Sequence, residues 1–454
     1  MIKVILPGGF LQERAYAIHV LLYEFLGLTY SIEVSKDEDS YCIEFDGNEI
    51  RIADCFFDRY ASAGSYLITE ALPQIALSAK HPALDGIICI YGEDLFTQKE
   101  KRLDCGVDLI AGAFFMLTRW EEYVDQTRDQ HGRFPAPASL AMRAGFLHRP
   151  VVNEYAVLLK KWLLQLGIKE SAFKKRTYQL SLHCDVDTAL YWPSKFSIVN
   201  KVLFQLVKQH TFSGAWNEIR QFIAFHGGVG FYSRPEKDRR DPYDTYDKLM
   251  DLAEKRSTKA CFCFLVDGEH ALDDKQMLHV PHVRRIFDHI RQRGHGTGIH
   301  FSYRTADDAK LMQDESKQYQ TETGHQPANA RQHFLRCSVP GTWRALEKVG
   351  VTNDFTMGYP ESLGFRCGTC YPFPLFDVVM GRMLHVYERP LIAMDVTLKF
   401  YREYTPEQAV TAVRKLADTV RSYDGEFVLL WHNSSFGYEW EGWENVLEEI
   451  LRED

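Results

Sequence analysis

Two aspartates two positions apart close an apolar segment, in the run LHCDVD at residues 182–187. On an extended chain, side chains at positions i and i+2 lie on the same face, so Asp185 and Asp187 are expected to be neighbours. Like charges at that spacing repel each other, and they require a cation or a shared proton. A helix cap or a solvated turn is the alternative, because aspartate is common in turns.

Three histidines also fall at the ends of apolar, strand-like segments. His300 lies in the short apolar run TGIHF, His432 follows FVLLW, and His333 stands in ARQHFLR between Arg331 and Arg336. Aspartate and histidine are the ligands of open catalytic zinc sites and of similar metal sites. Each histidine could instead be a buried structural residue, but together with the two aspartates the set favours a metal centre.

The segments that carry these residues alternate between short apolar strands and long helices. Strands are predicted at 178–187, 260–268, 297–301 and 426–432, and helices at 241–255, 279–294 and 405–425. The last helix has the clearest signals, because Thr405 can cap it, Pro406 suits its first turn and Gly425 can end it. This alternation predicts an α/β fold, either a parallel barrel or a doubly wound sheet. In both folds the chemistry gathers at the C-terminal ends of the strands.

The first 170 residues have a different pattern, which predicts a smaller mixed α/β domain. Its expected elements are a strand at 4–6, a helix at 13–26, a hairpin at 41–52, a buried strand at 86–92, and helices at 106–123 and 153–167. The polar, basic stretch at 168–178 is the candidate linker. We therefore predict one domain at 1–170 and a second at 178–454.

Composition argues against several classes of function. The chain has 454 residues, enough for two domains, and its 45% hydrophobic content is that of a globular protein. A net charge of −9 argues against a nucleic-acid or anionic-membrane partner, since both call for a basic surface. No run approaches the roughly 18 apolar residues of a membrane span, and MIKVILPGGF is too short for a signal peptide. The ten cysteines are expected to be reduced, and a cytoplasmic location is predicted.

The order of the motifs resembles that of the polysaccharide deacetylase family, the NodB homology domain of carbohydrate esterase family 4, over residues 178–454. LHCDVD is similar to the family's first motif, GHGTGIH to its histidine segment, ARQHFLR to its arginine motif and LLWH to its last motif. The segments MLTRWEEY and GRFPAPASLAM resemble an N-terminal domain of unknown function found in a bacterial subgroup. The resemblance implies a distorted (β/α) barrel with fewer than eight strands, preceded by a smaller mixed α/β domain.

The resemblance also implies roles for individual residues. Asp187 and His300 would bind a divalent metal ion, with zinc as the first expectation, to activate water and polarise an acetyl carbonyl. Asp185 would be the general base, held in place by Arg331, and His432 would be the acid that protonates the leaving amine. The implied reaction is removal of an acetyl group, more often N-linked than O-linked, from a sugar.

Two departures from the family pattern bear on the metal. The family's second metal histidine falls on Arg304, which cannot ligate a metal, and the proline expected two residues after Arg331 is His333. We predict that His333 replaces the missing ligand and completes a set with Asp187 and His300. The alternative is that His333 contacts substrate or only packs.

Further polar residues are candidates for supporting roles. Asp354 and Asp395 could each orient His432, and the sequence does not choose between them. Arg336 and Arg366 are predicted to bind the substrate, Arg366 by reading a carboxylate or phosphate. An ordinary ion pair is the alternative for Arg366.

The sequence thus predicts a cytoplasmic metal-dependent deacetylase of an acetylated saccharide, in bacterial cell-surface polysaccharide biosynthesis. One alternative is a non-catalytic saccharide-binding or assembly protein that keeps the barrel without metal, which Arg304 favours. Another is a metal amidohydrolase that acts on a non-sugar amide, because barrels of this kind host several reactions. No oligomeric state is predicted.

Overall fold

The structure, a computed structural model, describes residues 2–62, 64–191, 197–208, 210–226, 241–266, 268, 270–273, 278 and 280–452. Among these residues, no helix combines the length and apolar character that crossing a bilayer requires.

A six-stranded mixed sheet forms the centre of the N-terminal part. The strands of this part, of which β5 and β6 make a separate ribbon, are β1 (Ile2–Pro7), β2 (Tyr30–Ser35), β3 (Ser40–Phe45), β4 (Asn48–Ala53), β5 (Leu77–Ser78), β6 (Ile88–Cys89), β7 (Gly92–Lys99) and β8 (Arg102–Val107). The sheet order is β2-β1-β3-β4-β8-β7. The predicted hairpin is present, because β3 and β4 pair antiparallel from Ser40↔Ala53 to Phe45↔Asn48.

Helices cover this sheet and connect it to the rest of the chain. They are α1 (Leu11–Ile18), which continues as a π-helical turn over His19–Phe25, α2 (Phe56–Ala61), α3 (Leu109–Thr118), α4 (Trp120–Val124), α5 (Leu140–Arg143) and α6 (Val151–Gln165). Two expectations differ from the structure. The stretch 86–92 contributes only the short strand β6 and the start of β7. The helix expected at 106–123 breaks at Arg119, which has a φ of 50° and whose guanidinium binds Glu121 and Glu122.

A curled nine-stranded sheet forms the C-terminal part. Its strands are β9 (Gln179–Val186), β10 (Cys261–Leu265), β11 (Gly296–Phe301), β12 (Asn329–Gln332), β13 (Asn353–Asp354), β14 (Phe373–Asp377), β15 (Arg382–Glu388), β16 (Leu391–Met394) and β17 (Glu426–Leu430). The order is β14-β15-β13-β12-β11-β10-β9-β17-β16. Neighbours pair in parallel except β14 and β15, and no ladder between the described residues joins β14 to β16.

The described helices of this part are α7 (Ser197–Leu203), α8 (Phe212–His226), α9 (Tyr246–Lys255), α10 (Pro281–Gln292), α11 (Ala309–Thr323), α12 (Gly341–Lys348), α13 (Pro406–Ser422) and α14 (Val446–Leu451). Helix α13 begins as its signals predicted, with a capping box between Thr405 and Gln408 and proline at its first turn. The predicted α/β class, a smaller mixed α/β unit followed by an incomplete parallel barrel, is confirmed, although the sheet has nine strands rather than fewer than eight.

Gly298, the last glycine of the GHGTG run, allows close strand packing. A Cβ atom on Gly298 would lie 2.6 Å from the Asn329 carbonyl oxygen on the neighbouring strand β12. Since real Cβ contacts are longer than this, only glycine lets β11 approach β12 closely at this level. That approach places the C-terminal end of β11, and with it His300, beside the C-terminal end of β12.

The two parts of the chain pack against each other through a shared core. The Tyr16 hydroxyl donates to the Pro374 carbonyl at 2.8 Å, and the Phe114 and Phe376 rings meet edge to face at 5.6 Å. A buried ion pair lies in the same interface, where Arg366 binds Glu122 through Nε at 3.0 Å and Nη2 at 2.6 Å. The division into domains at residues 170–178 stays a prediction.

The buried Arg366–Glu122 pair predicts a large stability effect. Replacing Arg366 by methionine keeps the apolar stem but leaves Glu122 buried with Arg119 alone, so the free energy of unfolding should fall by about 3 kcal/mol. Urea denaturation at pH 7 measures it. Arg382→Met is the matched control, because Arg382 is exposed where it pairs with Glu347, so this pair should contribute less than about 1 kcal/mol. Equal losses in the two variants would contradict the prediction.

Candidate functional site

The C-terminal ends of four strands of the curled sheet form one rim, with β10 lying between two of them, β11 and β9. Strand β9 carries Asp185 and leads into Asp187, β11 carries His300, and β12 carries Arg331 and leads into His333. Strand β17 leads into His432 on the other side of β9. Parallel pairing thus brings six of the eight site residues expected from the sequence to one place.

Asp187 lies at the centre of a group of three donors. Its Oδ1 is 3.2 Å from Nε2 of His300 and 3.7 Å from Nε2 of His333. Burial alone would raise the pKa of Asp187, but the neighbouring His333, His300 and His432 outweigh burial and hold that pKa well below its usual range. One ligand atom from each of Asp187, His300 and His333 lies within 4.8 Å of the others, so this group could hold a metal ion.

In His300 and His333, the hydrogen-bond partner of Nδ1 determines that Nε2 faces Asp187. Nδ1 of His300 is 3.0 Å from the carbonyl oxygen of Arg331, which can only accept, and Nδ1 of His333 is 2.6 Å from Oδ1 of Asp273. Each Nδ1 is therefore the donor, and in the neutral ring Nε2 keeps its lone pair. Two imidazole nitrogens and one carboxylate oxygen, with the imidazoles hydrogen-bonded behind, are a donor set that fits zinc and similar divalent metals.

Asp185 faces the same space but is held differently. Its Oδ1 accepts from Nη1 of Arg331 at 2.8 Å, and Nε of Arg331 donates to the Phe355 carbonyl at 2.9 Å. Both side chains are buried. Burial opposes the charge of Arg331, but Asp185 more than compensates and raises the arginine's pKa. A permanent cation thus keeps this carboxylate oriented towards the rim.

His432 is oriented by Asp395, one of the two candidates that the sequence left open. Asp395 accepts from Nδ1 of His432 at 2.8 Å, from the His432 backbone N–H at 2.7 Å and from the Ser435 hydroxyl at 2.6 Å. Burial lowers the pKa of His432, but the Asp395 carboxylate outweighs burial and raises that pKa to about 10. At neutral pH the ring is protonated, and Nε2 faces the cavity 3.8 Å from Asp187.

Asp354, the other candidate, pairs with Glu388 instead. The two residues stand opposite each other on β13 and β15, and both are fully buried. Burial raises the pKa of Glu388 well above its usual range and that of Asp354 to about 6, and a hydrogen bond joins the two carboxyl groups. Burial and their mutual repulsion thus favour a proton on this pair of carboxyl groups.

Arg336 and Arg366 are not brought into this group. Arg366 donates to Glu122 and, at 2.8 Å, to the Gly358 carbonyl, deep in the interface between the two parts of the chain. Arg336 donates to the carbonyls of His131 and Tyr303 and to Asp307. Arg304 is exposed on a short 3-10 turn after β11. Both arginines were predicted to bind substrate. In the structure they bind other groups of the protein instead.

A cavity of about 150 Å³ opens onto the metal-competent group. Its lining includes five ionisable side chains, those of Asp185, Asp187, His300, His333 and His432. Most of the remaining lining residues are apolar or aromatic, namely Phe334, Leu335, Pro360, Met394, Val396, Tyr401 and Leu430, and Arg133 and Gln332 complete it. A space of this size admits a group about as large as a benzene ring. The cavity can therefore take a small apolar substituent beside groups able to transfer protons.

Sequence reasoning missed two residues of this region. Asp273, which holds His333, lies in the loop after β10, and the strand-end rule pointed to that loop without marking a position. Arg133, from the N-terminal part, also lines the cavity. It gave no signal in the sequence because it reaches the site only through tertiary packing.

Two other groups of the described residues have ligand atoms close enough for a metal ion. They are His183 with Cys261 and Cys263, and Cys42 with Glu44 and Glu49. The first lies nearer the N-terminal ends of β9 and β10, and the second lies on the N-terminal sheet. Neither group lines the cavity described above.

Comparisons with known proteins leave the function open. Residues 2–168 match a family described as a family of unknown function, DUF7033. A comparison with curated proteins gave no match. One similar solved structure is described as "putative polysaccharide deacetylase from Mycobacterium smegmatis", at 14% identity and a TM-score of 0.37 over 62% of this chain and 86% of that one. Similarity at this level transfers neither a reaction nor a substrate.

The raised pKa values of Asp354 and Glu388 predict a pH effect on stability. A raised pKa in the folded protein means that folding takes up protons, so stability falls as the pH rises above the usual glutamate range, by about 1 kcal/mol per pH unit. Glu388→Gln imitates the protonated form and should flatten the fall in unfolding free energy between pH 5 and pH 8, as measured by urea denaturation.

Glu441→Gln is the matched control, because Glu441 is exposed. Its stability curve should run parallel to that of the wild type. A Glu388→Gln curve as steep as the wild-type curve would show that the buried pair does not take up a proton on folding.

Proposed function

We propose that this protein is a metal-dependent hydrolase that removes an N-linked acetyl group from a saccharide. One observation carries the proposal: a three-donor group of Asp187, His300 and His333 is flanked by a carboxylate held by arginine and by a histidine protonated through Asp395. An acid and a base beside a metal-competent group are what hydrolysis of an amide requires.

The metal would be held by Asp187, His300 and His333, and when bound it would supply Lewis-acid polarisation of a carbonyl and a lowered pKa for water. Zinc is the first choice, since two imidazoles and one carboxylate are a common catalytic zinc set. The contacts of Nδ1 of His300 with a backbone carbonyl and of His333 with Asp273 keep both Nε2 atoms directed at the same space.

Asp185 is the proposed general base. Oδ1 is taken by Arg331, and Oδ2 lies 3.7 Å from Nε2 of His300, next to the metal-competent group. Water adds to the acetyl carbonyl carbon, and its proton passes to this carboxylate. Because Arg331 cannot be deprotonated in a protein, it holds the base in place throughout this step.

His432 is the proposed general acid. Nδ1 is bound to Asp395, so Nε2 is the nitrogen that can give a proton to the substrate. As the carbon–nitrogen bond of the amide breaks, the departing nitrogen takes this proton and leaves as an amine, while the carbonyl carbon leaves as acetate. A pKa raised to about 10 keeps the acid charged at neutral pH.

The choice of an acetylated saccharide rests on two supports. The order of LHCDVD, GHGTGIH, ARQHFLR and LLWH resembles that of polysaccharide deacetylases. The cavity beside the donors is small and about half of its lining residues are apolar or aromatic, which suits the methyl group of an acetyl substituent. The metal, the substrate class and the roles of the site residues are part of this proposal.

Metal binding is the first test. Purified protein loaded with Zn²⁺ and desalted should hold about one equivalent at this site, measured by plasma mass spectrometry. Asp187→Ala, His300→Ala and His333→Ala should each lose it, because each removes one of three protein ligands. His385→Ala is the matched control, since His385 is exposed on β15 and should keep the zinc. Retention of zinc by His333→Ala would remove that residue from the ligand set.

Acetate release is the second test. The zinc-loaded protein is offered N-acetylated and O-acetylated oligosaccharides, nucleotide sugars and simple amides, with an established deacetylase as positive control. Asp185→Asn and His432→Ala should each lower kcat by about 10²- to 10⁴-fold while zinc content stays unchanged. Release only from simple amides would favour a non-sugar amidohydrolase. No release from any substrate by the loaded protein would overturn the proposal.

A further inference from the structure

The turn that carries His333 has a strained backbone. Phe334 and Leu335, which follow it, have φ angles of 60° and 55°, in the left-handed region that side chains with a Cβ avoid. Such a conformation costs about 1–2 kcal/mol per residue and persists only where the surroundings hold it. The residues that hold this turn therefore also decide where the His333 ring lies.

A tight turn from the N-terminal part, residues 129–133, packs against it. Asp129 stiffens this turn, because Oδ1 accepts from the backbone N–H groups of His131 and Arg133 at 2.8 and 2.9 Å, and Oδ2 accepts from Nε of Arg133 at 2.7 Å. Gly132 supplies the φ of +73° that the turn requires. The Arg133 side chain leaves this preformed turn already oriented.

Hydrogen bonds in both directions connect the turn at 129–133 with the turn at 333–336. Nη1 of Arg133 donates to the Phe334 carbonyl at 3.0 Å, and Nε of Arg336 donates in the opposite direction to the His131 carbonyl at 2.7 Å. The His131 ring lies 4.8 Å from the Phe334 ring. The contacts fall on and beside the strained residues, so they stabilise the conformation that His333 needs.

A second path runs from the same turn to the far side of His333. Nδ1 of His131 is 3.2 Å from the Tyr303 hydroxyl, and the backbone N–H of Tyr303 donates to Oδ1 of Asp273 at 3.0 Å. That oxygen is the one that binds Nδ1 of His333. The N-terminal turn thus supports both the backbone that carries the imidazole and the carboxylate that orients it.

We propose that residues 129–133 of the N-terminal part complete the candidate site, with Arg133 as a positioning residue for His333. Arg133 is almost fully buried, lines the cavity and directs its N–H groups to Asp129, the Phe334 carbonyl and the Tyr401 hydroxyl, so it acts through these partners. This assigns a role to a region that matches a family of unknown function. It rests on the proposed function in taking His333 as a metal ligand.

A double-mutant cycle tests the proposal in the full-length protein. Zinc affinity is measured by chelator competition for wild type, Arg133→Met, His333→Ala and the double variant. Loss of a residue that orients a metal ligand typically weakens metal binding by about 10- to 100-fold, and we expect that loss for Arg133→Met. In the His333→Ala background the same substitution should change affinity less than about twofold, because its target is gone.

Arg128→Met is the matched control. Arg128 lies in the same loop and donates to the carbonyls of Glu122, Asp125 and Thr127 without touching the turn at 333–336. Its zinc affinity should equal that of the wild type. If Arg133→Met does not fold, the same double-mutant cycle is measured with Arg133→Lys. Lysine keeps the charge and a single donor nitrogen but not the planar fork of the guanidinium.

Hydrogen–deuterium exchange on the metal-free proteins gives a readout that does not depend on zinc. Exchange in the peptide 329–337 should be faster in Arg133→Met than in wild type or Arg128→Met. Wild-type affinity together with wild-type exchange in Arg133→Met would overturn the inference, and so would an equal loss of affinity in both backgrounds of the cycle.

Different results would overturn the proposed function and the positioning role of Arg133. If the wild-type protein binds no zinc, the proposed function is overturned, and the exchange rate of 329–337 still decides the positioning role. Faster exchange in Arg133→Met then supports that role, and unchanged exchange overturns it.

Discussion

Two carboxylates on one face of one strand are the constraint on which the site depends. Asp185 and Asp187 cannot both stay ionised at that spacing without compensating charge. Other parts of the rim supply the neighbours of the two carboxylates separately, because Arg331 from β12 binds Asp185 while His300 and His333 face Asp187. One carboxylate is thus tied to a cation that never titrates, and we propose it as the base. The other is surrounded by imidazoles, which are themselves metal ligands, so a cation can take its place among them.

Several ionisable side chains at the rim have a fixed partner behind them. Arg331 is held by the Phe355 carbonyl, His432 by Asp395 and His333 by Asp273. Buried charges without such partners would be costly, and pairing removes that cost while it also fixes orientation. Polar groups fixed in advance do not have to reorganise during a reaction, which is the main electrostatic advantage of an enzyme site. The same pairing explains why the fold tolerates so many ionisable groups inside one curled sheet.

The N-terminal part packs against the barrel and contributes a residue to the cavity. It shares an aromatic core with β14, joins the barrel through the buried Arg366–Glu122 pair, and reaches the cavity with Arg133. Arg336 and Arg366 were expected to bind substrate, but their planar forks bind protein carboxylates and backbone carbonyls instead. A guanidinium suits either role equally well, so residue type alone could not distinguish them.

Local patterns in the sequence were enough to predict the α/β class, the hairpin of β3 and β4, the start of α13, and the position of the two aspartates and three histidines where strands end. Those features depend on periodicity, capping and strand direction, which a linear pattern contains. Tertiary packing was needed to show that helix α3 breaks at Arg119, that Asp395 rather than Asp354 orients His432, that Asp273 holds His333 and that Arg133 lines the cavity. The site contacts among these join residues far apart in the chain, and their distances are set by the curl of the sheet and by the packing of the N-terminal part against it.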